Sequence, residues 1–168
     1  MNYLLTTWKS VVEISESVLI GLLFFFVLNL TLQNYVVRGD SMIPNYQSEQ
    51  RVLVLKFSYI KNILLKDIVN NSSYYLKPFN PQRGDIVVFK YPSNVKRKFV
   101  KRIIGLPGDN ISIRDGFVYV NEVKIKEPYL ESDKYRSYDN FGPITVDPNH
   151  IFVLGDNRRV SNDSRNWG

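Results

Sequence analysis

A hydroxyl at Ser41, set in the run "RGDSMIPNY" over 38–46, is the first group in this chain that could attack a carbonyl. Serine attacks only when a base takes its proton, and the choice of base is narrow here. There is no cysteine, which removes thiolate catalysis, disulfides and cysteine-built zinc sites. The single histidine, His150, sits in "DPNHIFVL", which reads as the entrance of a strand. Carboxylates and a neutral lysine amine remain. Asp40 adjoins Ser41, but successive side chains of an extended segment point to opposite faces, so it is badly placed. Lys101 lies in "KFVKRIIG", where alternation puts Phe99, Lys101 and Ile103 on one face and Arg102 on the other. Apolar neighbours desolvate an amine. From a pKa of about 10.4, deprotonation at pH 7 costs roughly 4 to 5 kcal/mol unless burial has already disfavoured the charge. Two plainer readings stay open at this point: a Gly-Asp-Ser-Met turn without chemistry, and a surface lysine guarding an edge strand.

These residues have to be positioned by β structure. From about Val36 onward the chain shows short apolar or alternating runs, "RVLVLKF", "DIVVFKY", "KFVKRIIG", "NISIR", "FVYV" and "HIFVLGD", with almost no helical periodicity. Asp115-Gly116 between "NISIR" and "FVYV" predicts a hairpin, because the primed turn needs positive φ angles that Asp and Gly tolerate. Pro107-Gly108 marks a second turn. Segments 61–82 and 126–149, rich in Asn, Ser, Tyr, Pro and charge, read as excursions on a barrel or sandwich.

Ahead of this lies "VLIGLLFFFVLNLTL", Val18–Leu32, broken only by Asn29 and Thr31. With its polar flanks it approaches the roughly 20 residues of a spanning helix, and a lipid bilayer is its expected partner. A cleaved signal peptide is the rival, but the chain has no alanine and therefore no A-x-A cleavage site. A buried helix of a soluble core is the third option. The predicted organisation is a short tail over 1–14, a transmembrane helix over 15–34 and a β-rich domain over 35–168. Lys9 before the segment, against Arg38 and Arg51 after it, mildly favours the reverse of an export-side domain, although large trailing domains cross largely regardless of such charges.

With 168 residues there is room for one modest domain. The net charge of +6 suits contact with anionic membrane. The basic cluster "KRKFVKR" over 96–102 is interrupted by apolar residues, so no nucleic-acid partner is expected. No metal or cofactor is expected either.

Four stretches alter the weight of the plain readings together. "GDSMIP" over 39–44, "RGDIVVFKYP" over 83–92, "KRIIGLPGD" over 101–109 and "GDNRRVSNDSRNWG" over 155–168 resemble, in order, the motif boxes of the type I signal peptidases. The resemblance runs from residue 15 to the end. It implies a mainly β catalytic domain behind an N-terminal anchor. The implied activity is membrane-bound serine endopeptidase action on the signal peptides of exported preproteins, at a bacterial plasma membrane or a thylakoid, with the catalytic domain on the export side.

Residue by residue, the resemblance implies Ser41 as nucleophile and Lys101 as general base. The backbone N–H of Ser41 would hold the oxyanion. Gly39 stands where some members carry a hydroxyl, which leaves the second oxyanion donor open. Ser161 would hydrogen-bond the Lys101 amine, Asp163 and Arg165 would brace its loop, and Asp156 would pair with Arg102. Val37, Met42, Val88, Phe99 and Val100 would line shallow pockets for small residues at −1 and −3, with plain core packing as the alternative for each. Arg159-Val160 replaces a common Asp-Asn pair, and Asn45 replaces a common threonine. The chain ends at Trp167-Gly168, where members continue through at least another strand, so a truncated C-terminus with an unpaired sheet edge is expected. Two other readings remain: a non-catalytic membrane-anchored β module, and a LexA-like self-cleaving Ser-Lys protein, which would need a DNA-binding N-terminus where the hydrophobic segment stands. The oligomeric state is not legible.

Overall fold

The computed structural model describes residues 2–56 and 81–168. The chain divides into two compact units, Met1–Tyr35 with Leu53–Pro78, and Val36–Val52 with Phe79–Gly168. The larger part of the excursion expected over 61–82 lies outside the described residues.

In the first unit a single helix, α1, spans Asn2–Thr31. Within it Val12–Thr31 is long and apolar enough to cross a membrane, since 20 residues at about 1.5 Å each match the roughly 30 Å hydrocarbon layer. Its large side chains are bare, Phe24, Phe25 and Phe26 being 60 to 65% exposed. Polar side chains in this window bond back to the helix's own carbonyls: Ser15 Oγ to Val12 O at 2.8 Å, Ser17 Oγ to Glu13 O at 2.9 Å, Asn29 Nδ2 to Phe25 O at 2.9 Å and Thr31 Oγ1 to Val27 O at 2.9 Å. Donors satisfied this way need no water. The helix expected over 15–34 differs at both ends. It begins at Asn2, and it stops at Thr31, where Leu32–Val36 becomes strand β1 and pairs with β2, Arg51–Leu55.

The second unit is built on two open sheets, so the mainly β expectation holds without closure into a barrel. One sheet orders β3 (Ile86–Tyr91), β4 (Asn94–Gly105) and β9 (Phe152–Leu154), with β4 in the centre. The other orders β7 (Val123–Lys124), β6 (Phe117–Val120), β5 (Asn110–Arg114) and β8 (Phe141–Thr145). Asp115 and Gly116, at φ of 49° and 76°, make the predicted hairpin turn between β5 and β6, with Arg114 opposite Phe117. Pro107-Gly108 forms the second predicted turn, closed by Asp109 N–H on Leu106 O at 2.9 Å.

The segment over 126–149, expected to be an excursion, contains β8. Its Gly142 and Pro143 read as turn residues, yet both are tolerated because β8, among the described residues, is an edge strand bonded only to β5. Ile104 of β4, Ile111 and Ile113 of β5, Val118 and Val120 of β6, Val146, and Phe152 and Leu154 of β9 pack into one core. Burial of apolar surface between the sheets, at about 25 cal/mol per Å², holds β4 and β9 in place, and those two strands carry the site.

Candidate active site

β4 runs from exposed residues at its start to a fully buried end, so the side chain at its middle, Lys101, is taken out of water by position alone and is 3% exposed. β3 flanks it in the register Val88 opposite Val100, Phe89 opposite Phe99 and Val87 opposite Lys101. Alternation therefore gives β4 two working faces, Phe99 and Lys101 on one, Val100 and Arg102 on the other.

Ser41 lies in the turns that follow Gly39, whose φ of +88° favours glycine. The turn is held by Gly39 N–H on Ser48 Oγ at 3.2 Å, Tyr46 N–H on Met42 O at 2.9 Å, and Asn157 N–H on Ser41 O at 3.0 Å. Met42 is fully buried beneath it.

These two elements bring Lys101 Nζ to 2.7 Å from Ser41 Oγ. Nζ also donates to Val100 O at 3.1 Å and lies 5.2 Å from the centroid of the Phe99 ring. Burial disfavours the ammonium and lowers the Lys101 pKa from 10.5 to about 8, against the opposing pull of the Asp163 and Asp156 carboxylates. At pH 7 about one molecule in ten then carries a neutral amine, compared with about one in three thousand for free lysine.

Below the dyad, Arg102 makes a two-pronged pair with Asp156, Nε to Oδ1 at 2.8 Å and Nη2 to Oδ2 at 2.7 Å, and donates through Nη1 to Gly84 O at 2.9 Å. Asp156 is fully buried and accepts a further bond from Asn45 Nδ2 at 2.8 Å. Asp163, also fully buried, caps the short helix α2 (Ser164–Trp167), accepts Gly155 N–H at 3.0 Å and pairs with Arg165 Nε at 2.9 Å. Arg165 in turn reaches Arg158 O at 2.8 Å and Ser137 Oγ at 2.9 Å. Gly155 has no room for a side chain, since a Cβ there would lie 2.2 Å from Ser161 Oγ and 2.6 Å from Ser41 O.

One expected contact is not made. Ser161 is buried at 8% exposure, but among the described residues its Oγ has no hydrogen-bond partner, while the Lys101 amine bonds Ser41 and Val100 instead. The loop backbone, closed by Ser161 N–H on Asn157 O at 3.1 Å, holds that hydroxyl beside Gly155. Of the expected pocket residues, Val37 and Met42 are buried, and Val88, Phe99 and Val100 are half-buried. Val88 and Val100 are cross-strand partners, whereas Phe99 lies on the lysine face and stacks on Tyr91 at 4.5 Å.

Several supporting groups were not legible from sequence. Asn45 ties the Ser41 turn to Asp156 and to Tyr129 O at 2.8 Å. Glu127, 3% exposed at its side chain, pairs with both Arg136 and Arg158, and Arg158 Nε donates to Gly155 O at 2.9 Å. A carboxylate between Ile125-Lys126 and Pro128 looks like ordinary loop polarity, and nothing local marks it as buried.

The arrangement is a hydroxyl held against a desolvated amine. A family model described as signal peptidase, peptidase S26, matches residues 10–168. Signal peptidase I S of Bacillus subtilis is 38% identical over 167 residues, covering 94% of this chain and 80% of the relative. Signal peptidase I of Bacillus caldolyticus is 41% identical over 146 residues, covering 80% and 70%. A solved signal peptidase I from Enterococcus faecalis is 39% identical, with a TM-score of 0.48, over 53% of this chain and 87% of that one.

Proposed function

Because the chain belongs to the signal peptidase family, peptidase S26, we propose that Ser41 and Lys101 are the catalytic dyad with which it removes signal peptides from preproteins. The observation that carries this reading is the 2.7 Å approach of a buried amine to the serine hydroxyl. Neutral Lys101 takes the proton as Ser41 Oγ bonds to the scissile carbonyl carbon, and the backbone N–H of Ser41 bonds the oxyanion. Collapse breaks the C–N bond, and the new ammonium returns its proton to the leaving amine. A water molecule then attacks the acyl ester, again giving its proton to Lys101, and hydrolysis frees the hydroxyl.

Arg102, Asp156 and Asn45 act beneath the dyad by joining β4 to the Ser41 turn. Asp163 and Arg165 hold the loop behind it. Substrate binds extended, placing small residues −1 and −3 against Val37, Met42, Val88, Phe99 and Val100. The apolar window Val12–Thr31 spans the bilayer, and the β unit works on the export side of a bacterial plasma membrane, with a thylakoid as the alternative setting.

The test is cleavage of a preprotein bearing a small-x-small site by the purified full chain. Cleavage by the wild type and its loss, by at least about 10³-fold, in both Ser41→Ala and Lys101→Ala is expected. Continued cleavage by the lysine variant would remove Lys101 from the mechanism.

A further inference from the structure

Glu127 is a buried acid that takes no part in the proton transfers between Ser41 and Lys101. It stands between β7 and a single 3₁₀ turn, Pro128–Leu130, and its side chain is 3% exposed. Among the described residues three donors engage its carboxylate. Oε1 accepts Arg158 Nη2 and the Tyr129 hydroxyl, the latter at 3.0 Å, and Oε2 accepts Arg136 Nη1 at 3.1 Å. Burial, and then the Glu127 charge, push the Tyr129 pKa upward, so its hydroxyl stays a donor.

A buried Arg-Glu-Arg cluster is a weak source of stability, because desolvating the charges offsets most of their attraction and apolar side chains of similar volume commonly do as well. What it supplies is fixed geometry, and its three arms end in different places. Arg136 leads away from the dyad, donating to Gly116 O at 2.9 Å in the turn between β5 and β6. Arg158 leads toward it. Its Nε donates to Gly155 O at 2.9 Å, in the loop whose Asn157 N–H holds Ser41 O at 3.0 Å. Tyr129 leads toward it as well. Its ring centroid lies 4.1 Å from the Arg102 guanidinium carbon, and its carbonyl accepts Asn45 Nδ2 at 2.8 Å. Arg102 follows Lys101 in β4, and Asn45 belongs to the Ser41 turn.

Two of the three arms therefore close on the elements that carry the dyad. A reacting pair held by separate segments keeps its distance only while those segments keep theirs, and a misplacement of about 1 Å can cost on the order of 10²-fold in rate. Resting on the dyad reading above, we propose that Glu127 is a positioning residue for catalysis: through Arg158 and Tyr129 its carboxylate holds the Gly155 loop and the Arg102 side of β4 at the separation that proton transfer from Ser41 to Lys101 requires. It touches neither the reacting atoms nor the residues assigned to −1 and −3. Its removal should therefore lower turnover and leave KM nearly unchanged.

The test is preprotein cleavage by the full chain, with kcat and KM measured separately and corrected for the folded fraction. Glu127→Gln keeps the side-chain volume and removes the charge, and its kcat is expected to fall by at least about tenfold with KM within about twofold. Arg158→Lys keeps the buried charge pair but gives up the fork that spans Glu127 and Gly155 O, so the same loss is expected in a variant better able to fold. Arg136→Gln removes the arm that points away and should keep kcat within about twofold. Combining Glu127→Gln with Arg158→Lys should cost no more than about twofold beyond either change alone, because the two side chains act as one unit. Equal kcat losses in Glu127→Gln and Arg136→Gln, wild-type kcat in Arg158→Lys, a loss confined to KM, or losses that multiply in the double variant would each overturn the proposal. Where Glu127→Gln fails to fold, the contrast between Arg158→Lys and Arg136→Gln decides it. Cleavage that survives in Lys101→Ala would instead count against the dyad reading, whereas these kcat ratios report on Glu127 alone.

Discussion

At the scale of single residues, the proposed dyad makes activity turn on the protonation of Lys101. Only the neutral amine can accept the Ser41 proton, and burial sets the pKa at about 8, below the ordinary 10.5. Activity should therefore be low at pH 6, rise through about pH 8 and level off above it, with kcat/KM against pH as the measurement. A rise centred near pH 10 would mean the amine is solvated during catalysis. Because the Asp163 carboxylate pulls the pKa upward, Asp163→Asn should move the rise to lower pH while reducing stability through the lost cap and Arg165 pair. Strand alternation and apolar neighbours in "KFVKRIIG" made a desolvated Lys101 one of two open readings beside a surface lysine, and its burial favours the first. The Ser161 hydroxyl was legible as a neighbour of the site but not in its bonding, because a hydroxyl's partner depends on distances of a few tenths of an ångström.

At the scale of elements, the site depends on three chain segments approaching closely: the Ser41 turn, the centre of β4 and the loop after β9. Gly155 marks the tightest point. In Gly155→Ala the added Cβ would press on Ser161 Oγ at 2.2 Å and on the Ser41 carbonyl at 2.6 Å, so kcat should fall by at least about 10²-fold and stability by about 1 to 3 kcal/mol. Gly116→Ala is the control. Its φ of +76° and a Cβ placed 2.2 Å from Ser137 O should lower stability comparably, while the folded fraction keeps its kcat. Thermal unfolding beside single-turnover cleavage separates the two, and equal kcat losses would show that the loop's fit against Ser41 is not what matters. The strands and the Asp-Gly turn could be read from local pattern. Strand β8 could not, because Gly142 and Pro143 are turn formers that only an edge position accommodates.

At the scale of the whole molecule, the chain joins an apolar helix to a β unit that has its own core. The bare side chains of Val12–Thr31 are stable in lipid and costly in water, roughly 1.5 to 3 kcal/mol for each large one. Expressed in bacteria, the protein should stay with membranes through an alkaline wash. Leu22→Lys with Phe25→Lys, each charge costing about 2.5 to 3.5 kcal/mol at a helix centre, should release it to the supernatant. A wild-type chain that washes free would sink the proposed anchoring.

The sequence by itself determined the class of chemistry, the mainly β character and the apolar helix. The β character and the helix follow from residue type, alternation and turn chemistry, which act over a few positions of chain, whereas the class of chemistry came from the resemblance of four ordered motifs to a family. Local pattern could not decide which polar groups meet; the family resemblance implied some pairs, and tertiary structure decided the geometry of all of them. Ser41 and Lys101 are 60 residues apart, and Asn45 and Asp156 are 111 apart. Burial at such contacts depends on how sheets pack, so the lowered lysine pKa, the Glu127 pairing with Arg158 and the unpartnered hydroxyl of Ser161 exist only once the strands are assembled.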